Sequence, residues 1–290
     1  MKPEDTRFMI VGLGLIGGSY ARGLTKKGFC VNAIDTNADS IRYALDEKIV
    51  CRGATAPDAA LLAEADIVVL ALYPTTMVDW VREHQHLFRP GTLLTDVSGV
   101  KCHVLDTIQG FLRDDLELIG SHPMAGREVY GVQNSDERIF APANFIVTPT
   151  AKNTPAGIAA AHEIGKLLNF HTVVELDPRT HDEMIAFVSQ LTHAIAVSLM
   201  TCNDDQNLQN YTGDSFRDLT RIARINETMW SELFLLNRGP LIEQIDSFTA
   251  ELLKMRALLQ QGDRAALEEM FRHSTKRRAL FDRPAVPKET

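Results

Sequence analysis

The sequence predicts an α/β Rossmann-type nucleotide-binding domain over residues 1–177, followed by an all-α helical dimerisation domain over 178–290. Three observations carry this reading. Short apolar strands alternate with helical segments in the first half, and a glycine-rich turn follows the first strand directly. After Pro178 the alternation stops in favour of long periodic segments. A chain of 290 residues accommodates two domains, since single domains usually run to about 100–200 residues.

Residues 7–12 (RFMIVG) read as a strand, and 18–28 read as a helix that leads into a second strand, CVNAID, ending at Asp35. Helical segments follow at 37–46 and 57–63. Asp66–Leu72 is a nearly pure apolar run, the pattern of a parallel strand covered on both faces. It ends at Tyr73-Pro74, and a helix runs on to about residue 88. Strand and helix alternate again at 92–97, 101–113 and 116–119. A strand at 144–148, a helix at 154–169 and a last strand at 171–175 complete the half.

The turn Gly12-Leu13-Gly14-Leu15-Ile16-Gly17 joins the first strand to the first helix. In this setting Gly12 permits a tight turn, Gly14 lets backbone approach a pyrophosphate, and Gly17 lets the helix pack close to the strand. The helix N-terminus then faces the phosphates. Asp35 lies 23 residues after Gly12, near the spacing of about 20 at which an acid reads a ribose diol. Thr36 and Asn37 bring no arginine for a 2′-phosphate, so NAD is favoured over NADP. Leu72 at the strand end, and Tyr73 and Pro74 just past it, are further cofactor contacts, with a simple helix start the alternative for Pro74.

Ligands of open α/β sheets bind beyond the carboxyl ends of the strands. Two strand ends supply polar groups there. Ser98 follows the strand at 92–97, either as an N-cap for the helix that holds Lys101 or as a hydroxyl offered to a ligand. His122, in Gly120-Ser121-His122-Pro123-Met124-Ala125-Gly126, follows the strand at 116–119. By position it serves equally as a surface-loop histidine or as a proton carrier near neutral pH.

The helical half has periodic segments at 179–204, 215–236, 239–261 and 263–280, and Arg272–Thr290 reads as a solvated tail. The first segment is apolar on nearly every side, so a homodimer built on this half is expected. His193 within it is open to a core or a ligand-facing reading. Arg217 and Arg221, four residues apart, can share one helix face and suit a carboxylate clamp, with a salt bridge to Asp218 or a nearby glutamate the alternative.

Net charge is −8, a balance that speaks against a nucleic-acid partner but not against a small anionic substrate, since local arginines can override it. No uninterrupted run of 18 apolar residues is present. The N-terminus enters a strand directly, which leaves no room for a signal peptide. Cys30, Cys51, Cys102 and Cys202 are scattered and read as reduced thiols, so a cytoplasmic protein without a membrane partner is expected. No group of residues has metal-ligand spacing.

Five blocks in order resemble the prephenate/arogenate dehydrogenase family of tyrosine biosynthesis: GLGLIGGS at 12–19, DVSGVK at 96–101, GSHPMAG at 120–126, His181-Asp182, and FRDLTRIA at 216–223. They span about residues 7–240. The resemblance implies NAD-dependent oxidation of prephenate to 4-hydroxyphenylpyruvate and carbon dioxide, or of arogenate to tyrosine, or both. It implies that His122 hydrogen-bonds the ring hydroxyl and takes its proton. Ser98 would link that histidine, the hydroxyl and the nicotinamide, and Arg221 would anchor a substrate carboxylate. Arg127 is a further anion contact. His193 matches the last histidine of the family's S-H-x-P-H segment, where this chain reads Ser189-Gln190-Leu191-Thr192-His193. Gln190 keeps hydrogen bonding without titrating, and losing the proline should make this helix more regular. Neither an ACT regulatory domain nor a chorismate mutase segment is expected. A β-hydroxyacid dehydrogenase would need a lysine in the central helix, and none lies between His181 and Gln209. A nucleotide sensor without catalysis is the remote alternative.

Overall fold

The computed structural model describes residues 1–282. Its first half alternates as expected: β1 (Arg7–Val11), α1 (Leu15–Lys26), β2 (Cys30–Ile34), α2 (Ala38–Asp46), β3 (Arg52–Ala54) and α3 (Ala59–Ala63). Next come β4 (Ile67–Leu70), α4 (Pro74–His84), β5 (Leu93–Asp96), α5 (Cys102–Phe111) and β6 (Glu117–Pro123). Then β7 (Asn144–Thr148), α6 (Pro155–Leu167) and β8 (Thr172–Glu175) close the half.

One eight-stranded sheet results, in the order β3-β2-β1-β4-β5-β6-β7-β8. All pairs are parallel except β6 with β7. The pleat sends alternate residues of β1 to opposite faces. Phe8 and Ile10 join Tyr20, Phe140 and Ile164 on one side, while Met9 and Val11 join Leu62, Met77 and Val104 on the other. Each such fully buried large apolar side chain contributes about 1.5–3 kcal/mol. The short edge strand β3 has no apolar run to announce it; register with β2 defines it, Asn32 opposite Arg52.

β6 is longer than expected. It pairs with β5 as far as Ile119, then pairs antiparallel with β7 from Gly120 to Pro123. His122 is therefore a strand residue opposite Ile146, not a loop residue. It lies beyond the last β5–β6 pair, at the carboxyl edge of the parallel ladder.

The second half contains α7 (Pro178–Ile185), a π-helical turn at Ala186–Leu191, α8 (Thr192–Thr201), α9 (Asp214–Thr220) and α10 (Glu227–Leu236). It ends with α11 (Arg238–Gln261) and α12 (Arg264–Arg278). The expected regular helix around Gln190 is instead widened. The Ser189 carbonyl accepts from Thr192 Oγ1 at 2.6 Å and from His193 Nδ1 at 2.9 Å, side-chain competition that disturbs the helical ladder. The expected helix at 215–236 is broken because Asn226 caps a new one, its side chain accepting the N–H of Met229 at 2.9 Å. From Arg272, where a solvated tail is expected, α12 continues through Arg278, and residues 272–282 are all exposed; residues 283–290 lie outside the described residues.

By contacts the chain divides into residues 1–241 and 242–290. The first unit includes α7 to α10 because Leu233, Met229 and Trp230 join the core on the α4–α5 side of the sheet. The continuous helix Pro178–Thr201 has a mean hydropathy of 1.5 over its most apolar window. Among the described residues it alone is long and apolar enough to cross a membrane, a measure that core and interface helices also meet.

Candidate active site

The glycine turn has the geometry its sequence demands. Gly12 adopts φ 96°, and a side chain there would collide with the Ala71 carbonyl of the neighbouring strand end. A Cβ on Gly17 would run into the Gly12 carbonyl, whereas Gly14 faces open space. Leu15 and Ile16 begin α1, whose N-cap, Gly14, brings no side-chain partner to the first N–H groups. Asp35 stands beside the turn, accepting from Leu13 N at 2.6 Å and from Asn37 N at 2.8 Å. Leu72 is half-buried, Tyr73 is exposed at the start of α4 with its hydroxyl 3.1 Å from Asn226 Nδ2, and Pro74 is the first helical residue.

Beyond β5 lies a buried polar knot. Lys101 and Asp96 are both fully buried and form an ion pair. Lys101 Nζ also donates to the Ser121 carbonyl at 2.6 Å and to Ser98 Oγ at 3.2 Å. Ser98 Oγ lies 2.5 Å from Asp96 Oδ2 and 2.8 Å from the Val100 carbonyl, both acceptors for its single proton. Burial lowers the Lys101 pKa, and Asp96 opposes that shift. Ser98 does not cap α5. That cap comes from α7, where Asp182 accepts the N–H of Lys101 at 2.8 Å and of Cys102 at 2.9 Å.

The same carboxylate holds a histidine pair. His181 is fully buried, with Nδ1 2.8 Å from Asp182 Oδ1 and Nε2 2.9 Å from His122 Nδ1. Burial, then the proximity of His181 and Lys101, pushes the His122 pKa well below its ordinary value. His181 is lowered by burial, against the pull of Asp182. Burial works against the charge of Asp182, but His181 and the two backbone donors outweigh it and hold its carboxyl below the usual range. The 98–100 turn borders His122, since a Cβ on Gly99 would stand 3.9 Å from its Cε1.

A second group gathers around α10. His193 is half-buried and stacks on Trp230 with ring centroids 3.6 Å apart. Its pKa is lowered by burial first, then by Arg221, against the Ser189 carbonyl and Glu128. Arg221 is ion-paired with Glu128. Leu233, one turn after Trp230, packs against Gly99 and so borders the His122 group. Arg217 and Arg221 do not share an α-helical face, because α9 stops at Thr220 and Arg221 opens a 3-10 turn. Arg217 is instead paired with Asp214 at 2.5 Å, and Arg127 lies 3.6 Å from Asp136. Gln190 is buried, donating to the Leu233 carbonyl at 3.0 Å and accepting from Asn237 Nδ2 at 2.8 Å. Among the described residues no cluster of metal-ligating side chains occurs.

The sequence assigns no role to Lys101, His181, Asp182 or Glu128. The signal for the middle two is an ionisable pair in the first turns of an apolar helix. For Glu128 no spacing rule ties it to Arg221, 93 positions away.

Comparison with known proteins identifies the family of the chain. Residues 20–174 match the family model described as prephenate dehydrogenase, nucleotide-binding domain, and 177–273 match prephenate dehydrogenase, dimerization domain. The chain is 29% identical to the prephenate dehydrogenase of Bacillus subtilis over 278 residues, covering 93% of this chain and 73% of that protein. It is 30% identical to the cyclohexadienyl dehydrogenase of Zymomonas mobilis over 283 residues, covering 93% and 94%. The crystal structure of Aquifex aeolicus prephenate dehydrogenase with hydroxyphenyl propionate and NAD+ superposes with a TM-score of 0.87 at 27% identity, covering 96% of this chain and 98% of that one. On the strength of the two matched domains, which together span most of its length, this chain belongs to the prephenate dehydrogenase family.

Proposed function

We propose that the chain catalyses the NAD-dependent oxidative decarboxylation of prephenate to 4-hydroxyphenylpyruvate, carbon dioxide and NADH, a step of tyrosine biosynthesis. The observation that carries this reading is His122: a partly buried imidazole with a depressed pKa at the carboxyl edge of the sheet, bordered by the Ser98 turn.

The residues fit NAD. Gly14 leaves open space, the first N–H groups of α1 lack a side-chain cap, and Asp35 retains lone pairs beyond its two backbone bonds for a ribose diol. Arg42, the nearest candidate for a 2′-phosphate, is engaged by Asp39 at 2.7 Å. The chemistry NAD supplies when bound is a hydride acceptor.

His122 takes the proton of the ring hydroxyl as the C–H bond on the same carbon breaks, leaving a carbonyl there. Cleavage of the ring carboxylate then sends its electron pair into the dienone, which becomes a phenolate. His122 returns the proton to that phenolate oxygen, so the step is balanced in protons. Arg221 anchors the side-chain carboxylate, with His193 and Trp230 beside it, and Ser98 orients the hydroxyl and the cofactor region. Gln190 supports this wall through Leu233 and Asn237, whereas Arg127 and Arg217, held by Asp136 and Asp214, are assigned no substrate contact.

A second reading, arogenate as substrate or as a co-substrate, is favoured by Glu128. Its carboxylate sits on Arg221 and suits an ammonium beside a carboxylate. The helical half is read as the homodimer interface. Phe187, Val188 and Met184 on the Pro178–Thr201 helix are about half exposed, and a second copy of the helix would cover them. A cytoplasmic location accords with the reduced cysteines. NADH formation with prephenate and arogenate, each under NAD and NADP, tests the reading; cofactor binding without turnover of either substrate would leave the nucleotide-sensor alternative.

A further inference from the structure

The donor and acceptor roles along the path from α5 to His122 are fixed in one direction. Asp182 takes two backbone N–H bonds at the start of α5 and remains ionised, so it can only accept from His181. His181 Nδ1 must therefore carry a proton. Because burial and the nearby Lys101 keep His181 neutral, its Nε2 is a bare lone pair. That lone pair can only accept from His122, so His122 Nδ1 carries the proton and His122 Nε2 does not.

We propose that His181 and Asp182 are positioning residues that hold His122 in the Nδ1–H tautomer, presenting an unprotonated Nε2 as the base for the hydroxyl proton. This rests on the function proposed above for its substrate, but the tautomer itself does not. Free neutral imidazole interconverts between its tautomers, so an untethered His122 would carry part of its population with the base blocked. When Nε2 takes up a proton, the Nδ1–H bond to His181 remains, and the ionised Asp182 lies one ring further on to offset the new charge. The charged groups facing this path are Asp182 from α7, Lys101 at the start of α5 and Asp96 at the end of β5. Lys101 opposes protonation of both rings. Its pairing with Asp96 tempers that opposition.

Selective 15N-histidine labelling of the full-length protein, read by long-range proton–nitrogen correlation without substrate, tests the tautomer directly. Wild type should show His122 with a protonated Nδ1 and a bare Nε2; the opposite assignment overturns the proposal. Asp182→Asn should shift that population towards Nε2–H and lower kcat about 100- to 10,000-fold, with the NAD dissociation constant unchanged. Because Asp182 also caps α5, a second pair of variants carries the test if that protein does not fold. His181→Gln keeps an acceptor for Nδ1–H and should stay within about tenfold of wild-type kcat, whereas His181→Leu should lose at least about 100-fold. Equal activity of the Gln and Leu variants overturns the proposal. The predicted tautomer together with no turnover of prephenate or arogenate would leave this assignment standing and reject the proposed substrate instead.

Discussion

Asp182 accepts the backbone N–H of Lys101 at 2.8 Å although 81 positions separate the two residues. The bond joins the first helix of the second half to the loop that follows β5 in the first. It does so at the start of α5, where orphan N–H groups and the helix dipole favour a carboxylate. The next residue back, His181, meets His122 from the same anchor. One carboxylate therefore ties the chain's two halves together and sets the surroundings of the candidate base.

The Lys101–Asp96 pair lies wholly out of solvent, so removing one partner leaves the other charge uncompensated. Lys101→Met is expected to destabilise the fold by about 3–5 kcal/mol, read as a shift in the urea midpoint at unchanged slope. A loss below about 1 kcal/mol would mean that Asp96 is satisfied by Ser98 and Ser121 alone.

Both linked histidines have folded pKa values below the unfolded value of about 6.5. Below that pH the unfolded chain binds protons that the folded chain refuses, so stability rises with pH across the window. The Tm should be highest above neutrality and fall as pH drops from about 6.5. His181→Gln should flatten that acid limb, and an unchanged limb would place the titration elsewhere.

Asp35 repels a 2′-phosphate by its charge and reads a diol by its oxygens. Asp35→Asn keeps an acceptor for Leu13 N but removes the charge. The KM for NAD should rise about tenfold while NADP becomes a competing cofactor, since one charge-assisted hydrogen bond is worth about 1.5–3 kcal/mol. Steady-state kinetics with both cofactors measure this; unchanged discrimination would remove Asp35 from the cofactor site.

The Arg221–Glu128 pair separates the two candidate substrates. Arg221→Ala should raise the substrate KM about 10- to 100-fold with little change in kcat, the cost of one charge-assisted bond. Glu128→Gln should raise the KM for arogenate about tenfold and leave that for prephenate unchanged or lower. Parallel movement of both values would argue that Glu128 contacts neither side chain.

The sequence made the ladder of strands legible because buried parallel strands are apolar runs with sharp ends, as in Ile67–Leu70. The glycine turn was legible because Gly12 and Gly17 occupy places where a side chain does not fit. Local patterns could not show which partner a residue would find. Ser98 reads equally as a cap or as a hydroxyl offered to a ligand, and only the fold shows that the cap arrives from Asp182. Arg217 and Arg221 share a face only if the helix runs on, but α9 stops at Thr220 and Arg221 pairs with Glu128. The π turn at Ala186–Leu191 was hidden because Thr192 and His193 act on the Ser189 carbonyl through side chains, which propensity does not weigh. The sequence puts His122 just past a strand end, since only β7 reveals that β6 continues beyond Ile119.

The proposed role of His122 as the base in an NAD-dependent oxidation of prephenate is decided by NADH formation from prephenate, comparing wild type with His122→Asn at equal NAD saturation. Wild type should turn over, and the variant should show a kcat lower by about 100- to 10,000-fold with NAD affinity unchanged. Wild-type turnover that survives the substitution, or falls only in step with NAD binding, would contradict it.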